Sequence, residues 1–240
     1  MPLPMHARSN RRSLLRGATV VVLPLLLLAG AAFAHTVAEG DQDFVRNTTG
    51  VQILPFMYLG AKHMVTGYDH LLFLAGVIFF LHRLKEVALY VTLFAIGHSS
   101  TLLLGVLTGL HVNPFVIDAI IGLSVVYKAL DNMDAFRTLF GWQPNAKLAV
   151  LLFGFFHGFG LATKLQDLSL ARDGLVPNML AFNAGVEIGQ LLALSAILLV
   201  MNYWRRTASF ARHAYSANVV LLTAGFVLTG LQLTGFAIAP

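Results

Sequence analysis

The chain has 240 residues, of which 57% are hydrophobic and only 11% are charged. Soluble domains carry about 25% charged residues, so this composition argues against a soluble enzyme, a disordered protein and a nucleic-acid-binding protein. The net charge of +5 belongs to the N-terminus, because four arginines lie in the first 16 residues and the rest carries twelve basic and eleven acidic side chains. Cysteine is absent, which excludes disulfides and thiolate metal ligands.

Residues 1–34 have the pattern of a cleaved signal peptide. An arginine-rich start precedes an apolar stretch at 18–31 and an Ala32-Phe33-Ala34 cleavage site. The paired arginines loosely resemble a twin-arginine signal. An uncleaved anchor helix is the alternative, although about 14 apolar residues are short for a membrane span. Cleavage would leave His35 as an N-terminal residue, either solvated or able to chelate a metal through its amine and imidazole, and residues 35–52 as a short periplasmic segment.

The long apolar segments in the rest of the chain predict an all-α membrane protein with a six-helix transmembrane domain over residues 53–237. A span of about 30 Å needs a helix of about 20 apolar residues. The alternating pattern of a membrane β-barrel is missing. The predicted spans are 53–81, 87–110, 114–130, 147–165, 176–203 and 214–237.

Charge predicts the orientation of these spans. With an exported N-terminus, eight basic residues fall in cytoplasmic loops and only Arg46, Lys62, Lys164 and Arg172 fall outside. This bias follows the positive-inside rule and places the protein in the bacterial inner membrane with its mature N-terminus in the periplasm. Glycines four residues apart predict close helix packing: Gly105/Gly109, Gly154/Gly158 and Gly185/Gly189.

Ionisable side chains inside spans cost about 2.5–3.5 kcal/mol each and therefore indicate function. A shared polar site is predicted from His63, Asp69, His70, His98, His157 and Glu187, with Asp118, Ser99, Asn183 and Gln190 around it. Single histidines can instead hydrogen-bond across helix pairs, and Asp118 could lie at the membrane interface. His82, His111 and His213 are near span ends, where we expect them to be solvated.

Helical spacing groups these residues. At about 100° per residue, His63, Gly67 and His70 share one face, as do Asn183, Glu187 and Gln190. However, a rise of 1.5 Å per residue separates His63 from His70 by roughly 10.5 Å. Either Gly67 breaks the helix or the two histidines serve successive positions along a path. Asp69 could accept an imidazole N–H and fix the tautomer of a ligand.

The residue types suit a transition metal or a proton relay. Imidazole and carboxylate favour Ni, Zn, Co, Cu(II) or Fe(II), and the thioethers of Met57 and Met64 leave Cu(I) open. We expect no permanently bound cofactor.

The run from His63 to Leu72, HMVTGYDHLL, resembles the signature of the HupE/UreJ family of small membrane proteins. Further blocks resemble its second branch in the right order: FAIGHS, DAIIGLS, FGFFHGFG and FNAGVEIGQ, which begin at Phe94, Asp118, Phe153 and Phe182. Two positions depart from the pattern: Met64 replaces a common proline, and Asp118 stands where glutamate is expected. The better-known nickel–cobalt transporters also have one residue fewer between the first His and Asp-His.

The resemblance implies a nickel or cobalt permease linked to hydrogenase and urease maturation. We expect His63 and the N-terminus to collect the ion, five residues to form the midplane site, and His70 and Glu187 to couple protons; the five are Asp69, His70, His98, His157 and Glu187. No sequence resembles a nucleotide-binding motif, so transport would be passive, proton-coupled or partner-dependent.

Two other classes remain open. A zinc-dependent intramembrane hydrolase would use the histidines with Ser99 and Ser100 around an activated water. A membrane accessory protein would contact metalloenzyme maturation proteins without moving any ion. The predicted partners are the bilayer and the metal, with a homo-oligomer left open and no nucleic acid.

Overall fold

The computed structural model describes residues 39–168 and 172–239, and these residues form helices without any strand. The predicted signal peptide and His35 lie outside the described residues. The helices are α1 Glu39–Asn47, α2 Ile53–Thr66, α3 Tyr68–Ile78, α4 Leu84–Thr108, α5 Pro114–Asn132, α6 Ala135–Phe140, α7 Ala146–Gln166, α8 Leu175–Arg205 and α9 Ala208–Ile238.

Within the described ranges, four helices are long and apolar enough to cross a membrane: α4, α7, α8 and α9. The chain is thus a multi-pass membrane protein by length and composition. The first predicted span consists of two shorter helices, α2 with 14 residues and α3 with 11. The third, α5, has 19 residues and carries Asp118, Lys128 and Asp131. A count of six spans therefore stays a prediction.

Gly67 breaks the first predicted span. Its backbone is extended, with φ −73° and ψ 110°, so it ends α2 and begins α3. Its N–H donates to the His63 carbonyl at 3.0 Å and closes the last turn of α2. Of the two alternatives that the spacing left open, the structure has the helix break.

Glycines allow neighbouring helices to pack with their backbones in contact. A Cβ atom on Gly97 would lie 2.5 Å from the Leu151 carbonyl oxygen, and one on Gly154 would lie 2.5 Å from that of Phe94, so α4 and α7 touch backbone to backbone. Gly185 brings α8 even closer to α2, since a Cβ atom there would lie 1.9 Å from the Met57 carbonyl oxygen. Small residues allow this close approach. Such packing matters in a bilayer because the hydrophobic effect does not drive helices together there.

The predicted glycine pairs are confirmed as contacts, with one exception. Gly105 packs against Ala162, and Gly154, Gly158, Gly185 and Gly189 all face a neighbouring backbone. Gly109 was predicted wrongly, because it has φ +69°, ends α4 and has nothing within 4 Å of its Cβ position. A left-handed helix end favours glycine for conformational reasons rather than for packing.

Polar contacts tie the loops at the two ends of the bundle. At the end that carries α1, the Asn178 side chain donates to the Gly50 carbonyl and accepts from the Gln52 N–H. At the opposite end, Arg205 donates to the carbonyls of Ile78 and Phe79 and caps α3. A helix C-terminus leaves such carbonyls without intrahelical partners.

Candidate metal centre

The helix break brings two histidines together. The ring centroids of His63 in α2 and His70 in α3 are 5.0 Å apart. From α7, His157 approaches His70 with a centroid distance of 5.1 Å. Ligand atoms of Asp69, His70 and His157 all lie within 4.8 Å of one another. We call His63, Asp69, His70 and His157 the histidine cluster.

The glycine contacts of α7 position His157. Gly154, about one turn before His157, and Gly158, directly after it, press against the α4 backbone at Phe94 and His98. The Thr101 hydroxyl donates to the Phe155 carbonyl at 2.8 Å and joins the same two helices. The tight contact between α4 and α7 therefore holds His157 in the bundle interior.

Hydrogen bonds orient the rings. Asp69 Oδ1 lies 3.0 Å from His70 Nδ1, and the Phe153 carbonyl oxygen lies 2.9 Å from His157 Nδ1. In a neutral imidazole, a proton on Nδ1 leaves the lone pair on Nε2. A carboxylate or carbonyl on one nitrogen is the usual support for a metal ligand on the other.

The donor set fits a divalent transition metal. All four residues of the histidine cluster are buried, none more than 9% exposed. Burial of a carboxylate is costly without a cation or hydrogen bonds. Imidazole nitrogen with carboxylate oxygen suits Ni, Co, Zn or Cu(II).

Three other predicted residues, His98, Asn183 and Gln190, have buried polar atoms. His98 is 1% exposed and stacks on Phe94, whose ring centroid is 5.0 Å from that of His157. The His98 Nδ1, both amide atoms of Asn183 and the Gln190 Oε1 have no hydrogen-bond partner among the described residues. Buried polar atoms of this kind usually serve a ligand or water.

Glu187 and Ser99 are placed apart from the histidine cluster. Glu187 is exposed, while Asn183 and Gln190 on the same helix are buried. Glu187 lies at the edge of the predicted common face, about 60° around the helix from Gln190, and falls outside the buried arc. Glu187, Ser99 and Ser100 line a groove of about 510 Å³ between α8 and α4.

Asp118 pairs with Lys164, which falls inside the predicted span 147–165 and was not predicted to belong to the site. Lys164 lies within α7 and donates both to Oδ1 of Asp118, at 3.0 Å, and to its Oδ2, at 2.8 Å. Both side chains are largely buried. The signal in the sequence was the seven-residue spacing from His157, which puts Lys164 on the same face of α7. His82, His111 and His213 are exposed, as predicted.

Gly67→Ala is expected to weaken metal binding about tenfold without unfolding the protein. Alanine accepts the φ and ψ of Gly67, but its Cβ would overlap His70 Nδ1 and lie 3.1 Å from Asp69 Oδ1. Isothermal titration of the detergent-purified variant with Ni²⁺ or Co²⁺ measures the loss. An unchanged affinity would contradict the role of the Gly67 helix break in positioning the metal ligands.

Glu187→Gln is expected to leave metal affinity close to that of the wild type, because its carboxylate faces the groove rather than the histidine cluster. Asp69→Asn is the matched change within the cluster and should weaken binding by about 10–100-fold. The same titration compares them. Equal losses in the two variants would return Glu187 to the metal site.

Comparison with known proteins gives one match. The family model described as HupE/UreJ protein matches residues 39–240. No curated protein and no solved structure matches the chain significantly. The match covers every helix of the bundle and agrees with the resemblance carried by the motifs around His63, His98, His157 and Glu187. The chain belongs to the HupE/UreJ family.

Proposed function

We propose that this protein is an inner-membrane permease for a divalent transition metal, with nickel or cobalt as its substrate. The family is associated with nickel and cobalt transport or with urease and hydrogenase maturation. The observation that carries the proposal is the approach of Asp69, His70 and His157, whose ligand atoms lie within 4.8 Å inside an apolar bundle.

In this proposal the membrane is crossed six times. The α2–α3 pair and α5 supply the two crossings beyond the four long helices. A helix broken within a span exposes backbone and side-chain ligands at depth, which is how many transporters build a binding site. Gly67 would then lie in the membrane interior, and the mature N-terminus would face the periplasm.

Each residue of the histidine cluster has a role in binding. His70 and His157 supply imidazole nitrogens, Asp69 supplies a carboxylate oxygen and orients His70, and His63 stands beside His70 as the next ligand along the path. His98, Asn183 and Gln190 offer polar atoms to the water that a partly hydrated ion retains. Metal delivered to the cytoplasm would support maturation of a nickel enzyme.

One observation weighs against the hydrolase alternative. Ser99 and Ser100 line the groove between α4 and α8, and the Ser100 hydroxyl donates to the Ile96 carbonyl within its own helix. A nucleophile or a proton donor for a metal-bound water has to point at the metal. The accessory-protein alternative is distinguished by transport, since it predicts that the protein moves no metal ion across the membrane.

Uptake into proteoliposomes tests the permease. Purified wild-type protein should show saturable uptake of Ni²⁺ or Co²⁺, whereas His70→Ala should show none. His213→Ala is the matched control, because His213 is exposed and outside the cluster. Uptake by His70→Ala at the wild-type rate would refute the site, and no flux by folded wild-type protein would favour the accessory role.

A further inference from the structure

A buried ion pair joins α5 to α7 outside the histidine cluster. The Lys164 ammonium contacts both carboxylate oxygens of Asp118, and the two side chains are only 12% and 7% exposed. Removing two charges from water costs several kcal/mol per ion, so such a pair adds little to stability. Its presence in the bundle interior therefore needs a functional reason.

The pair lies toward the α1 end of the bundle. Lys164 follows His157 by seven residues, which places it about two turns further along the same face of α7 and roughly 10.5 Å from it. Beside Lys164, the Val112 N–H donates to the Thr163 hydroxyl, so the α4–α5 loop covers this end of α7. In the proposed function, a metal ion that enters from this end along the face of α7 that carries His157 would meet Asp118 and Lys164 before the cluster.

The charges of the pair act on a divalent ion in opposite directions. In a medium of low effective dielectric constant, the ammonium repels the ion and the carboxylate attracts it with similar strength. We propose that Asp118 and Lys164 form a charge gate on the metal path: Lys164 takes the place of a cation beside Asp118, and the divalent ion displaces it to pass. This inference rests on the proposed function.

A gate and a merely structural ion pair predict different changes in the KM for metal uptake when one charge is removed. If the pair only holds α5 to α7, loss of either charge should harm transport alike. If it is a gate, Asp118→Asn leaves an uncompensated ammonium and should raise the KM for metal uptake by about tenfold. Lys164→Gln leaves an unmasked carboxylate and should lower the KM.

The experiment measures Ni²⁺ or Co²⁺ uptake by proteoliposomes that contain the full-length protein, its two single variants or the neutral double variant. Asparagine and glutamine can keep a hydrogen bond between α5 and α7, and size-exclusion elution shows which variants are folded before their uptake is compared. The expected result is a higher KM for Asp118→Asn, a lower KM for Lys164→Gln and a KM close to the wild type for the double variant.

Shifts of the same sign in both single variants, or no shift in either, would overturn the gate while wild-type uptake upholds the permease. Absence of uptake by the wild-type protein would overturn the proposed function and the gate with it.

Discussion

His157→Ala should abolish high-affinity metal binding, with a loss of more than about 100-fold, because changes to residues that only support a ligand already cost 10–100-fold. His157 is the one member of the three-residue group within 4.8 Å that comes from α7; Asp69 and His70 both come from α3. Without it, the remaining ligands lie on a single short segment and cannot enclose an ion. Titration of the purified variant with Ni²⁺ or Co²⁺ gives the change in Kd.

Two controls separate lost ligation from lost folding. His157→Gln keeps a side chain of similar reach beside Phe94 and should also lose binding, because an amide is a poorer ligand than imidazole for these metals. His213→Ala removes an exposed imidazole and should bind normally. Retention of wild-type affinity in both His157 variants would show that the metal binds elsewhere.

The second large effect concerns folding. Gly185→Ala should remove most folded protein from the membrane, because the new methyl group would overlap the Met57 carbonyl and lie 3.0 Å from the Ala61 nitrogen. Overpacking against side chains typically costs about 1–3 kcal/mol, and a backbone obstacle cannot rotate away. The fraction of monodisperse protein after detergent extraction measures the effect.

Gly230→Ala is the matched control, since no atom lies within 4 Å of its Cβ position in α9. This variant should be extracted in the same yield as the wild type. If Gly185→Ala were extracted equally well, the backbone contact between α2 and α8 would not determine the fold.

Much of the histidine cluster was predictable because the chain places most of its members near each other in sequence. His63 and His70 share a helix face, and the glycine between them marks the position at which the helix breaks. His157 was identified as a candidate because an imidazole inside an apolar helix is costly. The sequence could not say that His157 approaches His70 more closely than His98 does, since this depends on the rotation of α7 against α4.

Physical reasons also explain why Glu187 and Asp118 lie elsewhere than the sequence indicated. Glu187 is exposed because the rotation of α8 is set by contacts of Gly185 and Gly189 with α2, and a shift of 60° moves a side chain from core to surface. Asp118 was expected to support the metal ligands, and it pairs instead with Lys164, which is 46 residues away on another helix. No local pattern predicts that pairing.

The most direct test of the account is X-ray absorption at the metal edge of the purified protein loaded with one equivalent of Ni²⁺ or Co²⁺. The account predicts a shell of nitrogen and oxygen atoms with the scattering signature of imidazole, whereas His157→Gln should retain too little metal at this site to give that signature. A sulfur shell, such as Met57 or Met64 would supply, or an imidazole signal unchanged in that variant, would contradict a metal site built from Asp69, His70 and His157.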